Sequence, residues 1–160
     1  MNLKHYSKLA LIGLATASLL FVGCAKKEVV TETSAPAPKA STAPVKTMVN
    51  KPTSDSVYFA YDSASLDGAS KAALNAHAAW LMDHSSKSVT VEGNCDQRGS
   101  REYNLALGQR RADSVKAYLV GQGVRSSRID TVSFGEERPD CTGSGEACWA
   151  QNRHADIVNR

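Results

Sequence analysis

Four short runs of the chain are rich in β-branched and aromatic side chains. They lie at residues 56–61, 88–92, 129–134 and 155–158. Composition of this kind over so few residues is typical of β-strands. The pattern therefore predicts four strands.

Two longer segments carry apolar residues at helical spacing. The first, residues 69–82, follows a candidate N-cap at Ser65 or Asp67, and the second, residues 102–120, is followed by glycines that end a helix. The resulting order is strand, helix, strand, helix, strand, strand. It predicts an α+β domain of two layers, β-α-β-α-β-β, with the helices packed on one face of a mixed sheet.

A different pattern occupies the N-terminus. Two lysines precede an uncharged apolar run at residues 9–22, which ends at Gly23 and Cys24. The run is shorter than the roughly 20 residues that a membrane-spanning helix needs, and basic residues before it with a small residue after it are typical of a cleaved signal peptide. Residues 20–24 resemble the bacterial lipobox, although Phe21 stands where leucine is usual. We therefore expect cleavage after residue 23 and lipidation of Cys24.

Lipidation of Cys24 predicts a membrane anchor, because each buried methylene contributes roughly 0.8 kcal/mol and two or more acyl chains hold a protein stably. Ala25 follows the cysteine in place of an aspartate, which by resemblance to sorted lipoproteins indicates the outer membrane, with the domain facing the periplasm. The alternative is ordinary secretory cleavage near Ala15 or Ala17, which would leave Cys24 an incidental thiol.

Residues 24–54 are rich in Ser, Thr, Ala, Pro and Lys and show no periodicity that a core could use. We interpret this segment as a linker, whose reach as a flexible coil of about 30 residues is roughly 30 Å. The chain then divides into a signal peptide at 1–23, a lipidated linker at 24–54 and one globular domain at 55–160. The net charge of +3 gives no indication of nucleic-acid binding.

In the second predicted helix, a charged residue lies within the apolar stripe. At about 100° per residue, the stripe consists of Leu107, Gly108, Ala112, Val115, Tyr118 and Leu119. Asn104 and Arg111 fall inside it, whereas Arg110 points to solvent. A buried arginine needs a carboxylate or an equally rich set of acceptors. Asp96, in the glycine-bracketed loop before this helix, is placed to share a small cleft with Arg111; a plain internal ion pair or two surface charges is the alternative.

The run Glu-Gly-Asn-Cys-Asp-Gln-Arg-Gly-Ser-Arg-Glu-Tyr-Asn-Leu-Ala-Leu-Gly-Gln-Arg-Arg-Ala, at residues 92–112, closely resembles the OmpA-like peptidoglycan-binding domain family. Further matching pieces lie at 57–59, 132–139 and 151–153, so that the resemblance covers residues 57–158. Within the family, the chain is similar to the lipoproteins of the Tol-Pal system. The lipobox and the linker lie outside these residues, so their agreement with the resemblance is independent of it.

The resemblance implies noncovalent binding of the meso-diaminopimelate side chain in the peptide stems of peptidoglycan. That side chain ends in an ammonium and a carboxylate on one carbon, so Asp96 would take the ammonium and Arg111, a two-pronged donor, the carboxylate. By family position, Asn104 would add an amide contact. The backbone around Tyr61 and Asp62 would close the other wall, although Asp62 could equally be a turn residue after the first strand.

The implied role is a strap between the outer membrane and the cell wall in envelope integrity and cell division, with a TolB-type propeller protein and other Tol-Pal components as partners. Neither a cofactor nor a metal is expected. The alternative is a cell-wall hydrolase or amidase that uses Asp96 with a histidine or Cys95. It is disfavoured because no Cys-His, zinc-ligand or paired-carboxylate set is visible, and because Arg111 near Asp96 would favour the ionised acid, a poor general acid.

The remaining cysteines fit an oxidising compartment. Cys141 and Cys148 lie on one loop and predict a disulfide, since a zinc pair would need further ligands at suitable spacing. Cys95 is interpreted as a small buried residue. Asn152 and Arg153 match the family signature, but His154 stands where the family usually has a second arginine, which leaves the charge of that edge open.

Overall fold

The computed structural model describes residues 48–160. The predicted signal peptide, the lipidated Cys24 and most of the predicted linker lie outside the described residues. The elements are β1 (Ser56–Tyr58), α1 (Gly68–Asp83), β2 (Val89–Asn94), α2 (Arg101–Gly121), a short 3-10 helix (Ser126–Arg128), β3 (Ile129–Gly135), α3 (Glu146–Asn152) and β4 (His154–Asn159). The α+β prediction is confirmed, and α3 is an additional helix that the sequence pattern did not predict.

The strands form one mixed sheet in the order β1-β4-β2-β3. β2 and β3 are parallel, whereas β4 runs antiparallel to both of its neighbours. Val89 and Val91 on β2, with Ile157 on β4, are buried between more exposed neighbours, as expected for a sheet with one covered face. Leu74 and Leu81 from α1 and Leu119 from α2 complete this core.

Both long helices begin at side-chain caps. Asp67, one of the two predicted candidates, accepts a hydrogen bond of 2.7 Å from the backbone N–H of Ser70 at the start of α1. Ser100 accepts from the backbone N–H of Tyr103 at 3.2 Å and begins α2 directly after the loop that contains Asp96. Among the described helices, none has the length and apolar character to cross a membrane.

Two glycines bring α2 unusually close to the sheet. A Cβ atom added to Gly93 on β2 would lie 1.9 Å from the carbonyl oxygen of Gly108 on α2, so the two backbones touch where neither residue has a side chain. This contact fixes the depth of α2 against β2. It places Arg111, one turn further along the helix, beside the C-terminal end of β2.

The described chain contacts the core before its first strand begins. Val49 is partly buried against the core, and its backbone N–H donates to a carboxylate oxygen of Asp83 at 3.4 Å. His77 on α1 is buried, and its Nε2 lies 2.8 Å from the carbonyl oxygen of Ser54. The segment ahead of β1 is therefore held against α1.

Candidate functional site

A small cavity of about 170 Å³ lies where the loop after β1 faces the β2–α2 loop and the first turns of α2. It is lined by Tyr61, Asp62, Cys95, Asp96, Arg98, Gly99, Tyr103, Asn104, Leu107 and Arg111. All five residues proposed from the sequence for ligand binding are among them. The structure thus brings these residues together, while their role in binding stays a prediction.

Asp96 is 4% exposed and accepts four hydrogen bonds. Its Oδ1 accepts from the backbone N–H and the Nε of Arg98 at 3.1 and 3.0 Å, and its Oδ2 accepts from Nη2 of Arg98 at 2.6 Å and Nη1 of Arg153 at 3.3 Å. Burial raises the pKa of the carboxyl, but the hydrogen bonds from the two arginines outweigh it and hold the pKa below its usual value. Asp96 is therefore an anion at neutral pH.

Arg111 is completely buried, yet it does not pair with Asp96. Its guanidinium donates to the carbonyl oxygens of Ser63 at 2.8 Å, Asn94 at 2.7 Å and Ala60 at 3.2 Å. The sequence left two kinds of partner open for this arginine, a carboxylate or a set of neutral acceptors. The structure shows the neutral acceptors. Arg111 consequently fastens the loop after β1 to the end of β2, and the internal ion pair considered from the sequence is not formed.

Arg98, which sequence reasoning missed, occupies the mouth of the cavity. Its guanidinium carbon lies 4.0 Å from the ring centroid of Tyr61 and 4.2 Å from that of Trp149, so the cation is held between two aromatic rings. Nη2 also lies 3.6 Å from a carboxylate oxygen of Glu146. Arg98 lies in a loop, where no periodic pattern distinguishes one residue from another. Its position two residues after Asp96 is the one signal in the sequence that could have identified it.

Two of the other proposed side chains, Asn104 and Asp62, are already hydrogen-bonded. Asn104 is buried and its amide nitrogen donates to a carboxylate oxygen of Glu136. The Tyr103 hydroxyl donates to the carboxylate of Asp62. Asp62 has a φ of +52°, so it forms the turn after β1 and lines the cavity as well. The two readings of Asp62 left open by the sequence are therefore compatible.

Cys95 is buried, as interpreted from the sequence, and its thiol lies 3.2 Å from the carbonyl oxygen of Asn104. Burial raises the pKa of Cys95 above its ordinary value, which leaves a neutral thiol and a weak nucleophile. Within residues 48–160, no group of three or more His, Cys, Asp or Glu side chains could hold a metal ion.

The loop that carries α3 contacts Arg98 through Trp149 and Glu146. Cys141 and Cys148 form the predicted disulfide. The side chain of Asn152 bridges the same loop, since it accepts from the backbone N–H of Cys141 at 2.9 Å and donates to its carbonyl at 2.7 Å. Glu146 accepts from Nη2 of Arg153 at 2.6 Å. These contacts fix the helix from which Trp149 stacks on the guanidinium of Arg98.

His154 is buried at the start of β4, and its Nε2 faces two carboxylates and the side-chain amide of Asn94, 3.0 Å away. Its Nε2 lies 3.2 Å from Asp156 and 3.8 Å from Asp140, and its Nδ1 lies 2.8 Å from the carbonyl oxygen of Gln151. Burial lowers the pKa of His154, but these acceptors outweigh it and raise the pKa above 6.5. At this position, where the family usually has an arginine, the surroundings of His154 therefore still favour a positively charged side chain.

Comparisons with known proteins place the chain in a family. The OmpA family profile matches residues 58–153. The peptidoglycan-associated lipoprotein of Haemophilus influenzae is 50% identical over 104 residues, which are 65% of this chain and 68% of that protein. The protein of the same name from Pseudomonas putida is 50% identical over 100 residues, covering 62% of this chain and 60% of the relative. The crystal structure of the peptidoglycan-associated lipoprotein from Burkholderia pseudomallei superposes with a TM-score of 0.67 at 42% identity, over 71% of this chain and 100% of that structure. The family profile spans more than half of the chain, which therefore belongs to the OmpA family.

Proposed function

We propose that the domain binds the zwitterionic end of the meso-diaminopimelate side chain in peptidoglycan and catalyses no reaction. The observation that carries the proposal is the placement of an ionised carboxylate, Asp96, and a buried guanidinium, Arg111, on one small cavity. The name shared by the relatives describes association with peptidoglycan and names no reaction.

The size of the cavity supports an amino-acid end group as the ligand. One water molecule takes about 30 Å³ of liquid, so a cavity of about 170 Å³ has room for a few heavy atoms and none for a sugar strand. An end group with an ammonium and a carboxylate on one carbon would place its ammonium at Asp96 and its carboxylate at Arg111. Asn104, Tyr61 and Asp62 would contact the same group.

The proposed setting is the periplasmic face of the outer membrane. Cys24 would carry the acyl chains and the linker would span the gap to the cell wall, so that the protein straps the two layers together within the Tol-Pal system. A TolB-type propeller protein is the proposed protein partner. Metabolic labelling with palmitate tests the anchor: the wild type should incorporate label, and a Cys24→Ser variant that still does so contradicts the lipobox assignment.

Cosedimentation with purified sacculi tests the ligand. The full-length protein in mild detergent should pellet with sacculi, and Asp96→Asn should weaken binding by roughly ten- to a hundredfold, because a charge-assisted hydrogen bond contributes about 1.5 to 3 kcal/mol. Asp113→Asn is the matched control, since Asp113 is exposed on α2 and lies outside the cavity lining. Undiminished binding by Asp96→Asn would place the site elsewhere.

The same experiment separates binding from catalysis. A binding module leaves the sacculi intact, so the supernatant should contain no soluble muropeptides after incubation. Released fragments would favour the hydrolase or amidase alternative. The buried Cys95 thiol and the ionised Asp96 argue against that alternative, because neither is in the protonation state that a nucleophile or a general acid needs.

A further inference from the structure

The carboxylate proposed to receive the ligand has no vacant acceptor position. A carboxylate offers about four lone-pair positions on its two oxygens. In Asp96, Arg98 fills two positions of Oδ1, and Arg98 with Arg153 fills those of Oδ2. An incoming ammonium therefore needs one of these donors to leave.

The donors differ in how firmly they are held. The side chain of Arg153 is 7% exposed and also donates to the carbonyl of Phe59 at 3.1 Å and to Glu146 at 2.6 Å. The backbone N–H of Arg98 belongs to the loop itself. The side chain of Arg98, by contrast, is 28% exposed. Its guanidinium is the donor that can leave Asp96 without disturbing the fold.

A departing Arg98 guanidinium also has somewhere to go. Glu146, with a side chain 63% exposed, has a carboxylate oxygen 3.6 Å from the same Nη2 that donates to Asp96. The rings of Tyr61 and Trp149 flank the guanidinium and offer their faces to it over a range of positions. The loss of the pair with Asp96 is thus partly offset within the same cluster.

We propose that Arg98 is an internal competitor for the ligand: its guanidinium occupies Asp96 in the free protein, and the ligand ammonium binds by displacing it towards Glu146. The inference rests on the proposed function and adds a residue that sets its affinity. Removal of the Arg98 side chain should tighten binding, since it frees one acceptor position on each oxygen of Asp96 and takes a cation away from the ammonium.

Binding of the full-length protein to sacculi, measured over a range of protein concentrations, tests this competition. Arg98→Ala should bind roughly three- to tenfold more tightly than the wild type, the range expected for loss of one partly exposed charge pair. Arg98→Lys should fall in between, because lysine keeps the charge but not the two-pronged geometry. Arg101→Ala is the control: Arg101 is an exposed arginine paired with Glu137, outside the lining of the cavity, and its loss should leave affinity unchanged.

Fluorescence provides a second readout that does not depend on affinity. In a Trp80→Phe background, titration with meso-diaminopimelic acid should change the emission of Trp149 as the stacked guanidinium moves, and Arg98→Ala should lose this change while it still binds. If the wild type binds and Asp96→Asn is impaired, but Arg98→Ala binds no more tightly than the wild type, the competition by Arg98 is refuted and the proposed function stands. If the wild type fails to bind sacculi, the proposed function falls and the inference falls with it.

Discussion

Replacement of Arg111 by alanine should destabilise the domain severely, beyond any effect on ligand binding. The substitution leaves the carbonyl oxygens of Ala60, Ser63 and Asn94 without their donor. A buried acceptor left unsatisfied costs about 1 to 3 kcal/mol. Because the neighbouring cavity admits water to part of this region, we expect the lower end of the sum, about 3 to 5 kcal/mol, out of the 5 to 15 kcal/mol that typically holds a domain folded.

Thermal unfolding followed by circular dichroism measures this loss. At roughly 4 °C per kcal/mol for a domain of this size, Arg111→Ala should unfold about 12 to 20 °C below the wild type. Arg110→Ala is the matched control, because the neighbouring arginine is exposed and its removal should change stability by less than about 0.5 kcal/mol. If Arg111→Ala unfolds within a few degrees of the wild type, the three carbonyl contacts do not hold the loop as described.

Further predictions concern packing, pH and thiol chemistry. Gly93→Ala should lower the melting temperature strongly, since its Cβ would lie 1.9 Å from a carbonyl of α2, whereas Gly121→Ala, with nothing within 4 Å, should match or slightly exceed the wild type. His154, buried but with a pKa raised by Asp156, contributes stability that is complete below pH 6.5 and is lost as pH rises through the raised pKa. Denaturant unfolding should therefore show a larger loss between pH 6 and pH 9 in the wild type than in His154→Gln, and parallel profiles would refute the pairing. Cys95 should react with a thiol reagent orders of magnitude more slowly in the folded protein than in denaturant, and rapid native labelling would contradict its burial.

The sequence predicted the two long helices because each spans enough residues for a helical period to show, and the four strands because β-branched and aromatic residues are concentrated in them. α3 was not predicted, since seven residues give no reliable period and glycines at 143 and 145 make the segment resemble a loop. That helix depends on contacts within its own loop, between residues 141 and 153: the disulfide, the Asn152 bridge and the pair between Glu146 and Arg153. The periodicity of apolar residues reveals none of these contacts, and the disulfide predicted from the two cysteines did not by itself indicate a helix.

The candidate site was predictable to a similar degree. Arg111 was identified because a charge on an apolar stripe breaks a periodic pattern, and Asp96 because glycines bracket it next to that helix. The sequence did not reveal which groups form hydrogen bonds with Arg111 and with Asp96. Carbonyl acceptors for Arg111 exist only once the loop after β1 has folded over the end of β2, and the position of Arg98 between two rings depends on the unpredicted α3.

The position of β4 has a consequence for the order in which the domain can form. The last strand to be synthesised lies in the interior of the sheet, and β1 pairs with it alone, from Ser56 opposite Asp156 to Tyr58 opposite His154. Until β4 is available, β1 has no neighbouring strand, and no backbone ladder joins it to β2. A nascent chain therefore cannot complete its sheet from the N-terminus onwards, and a premature stop that removes only β4 would split the sheet in two.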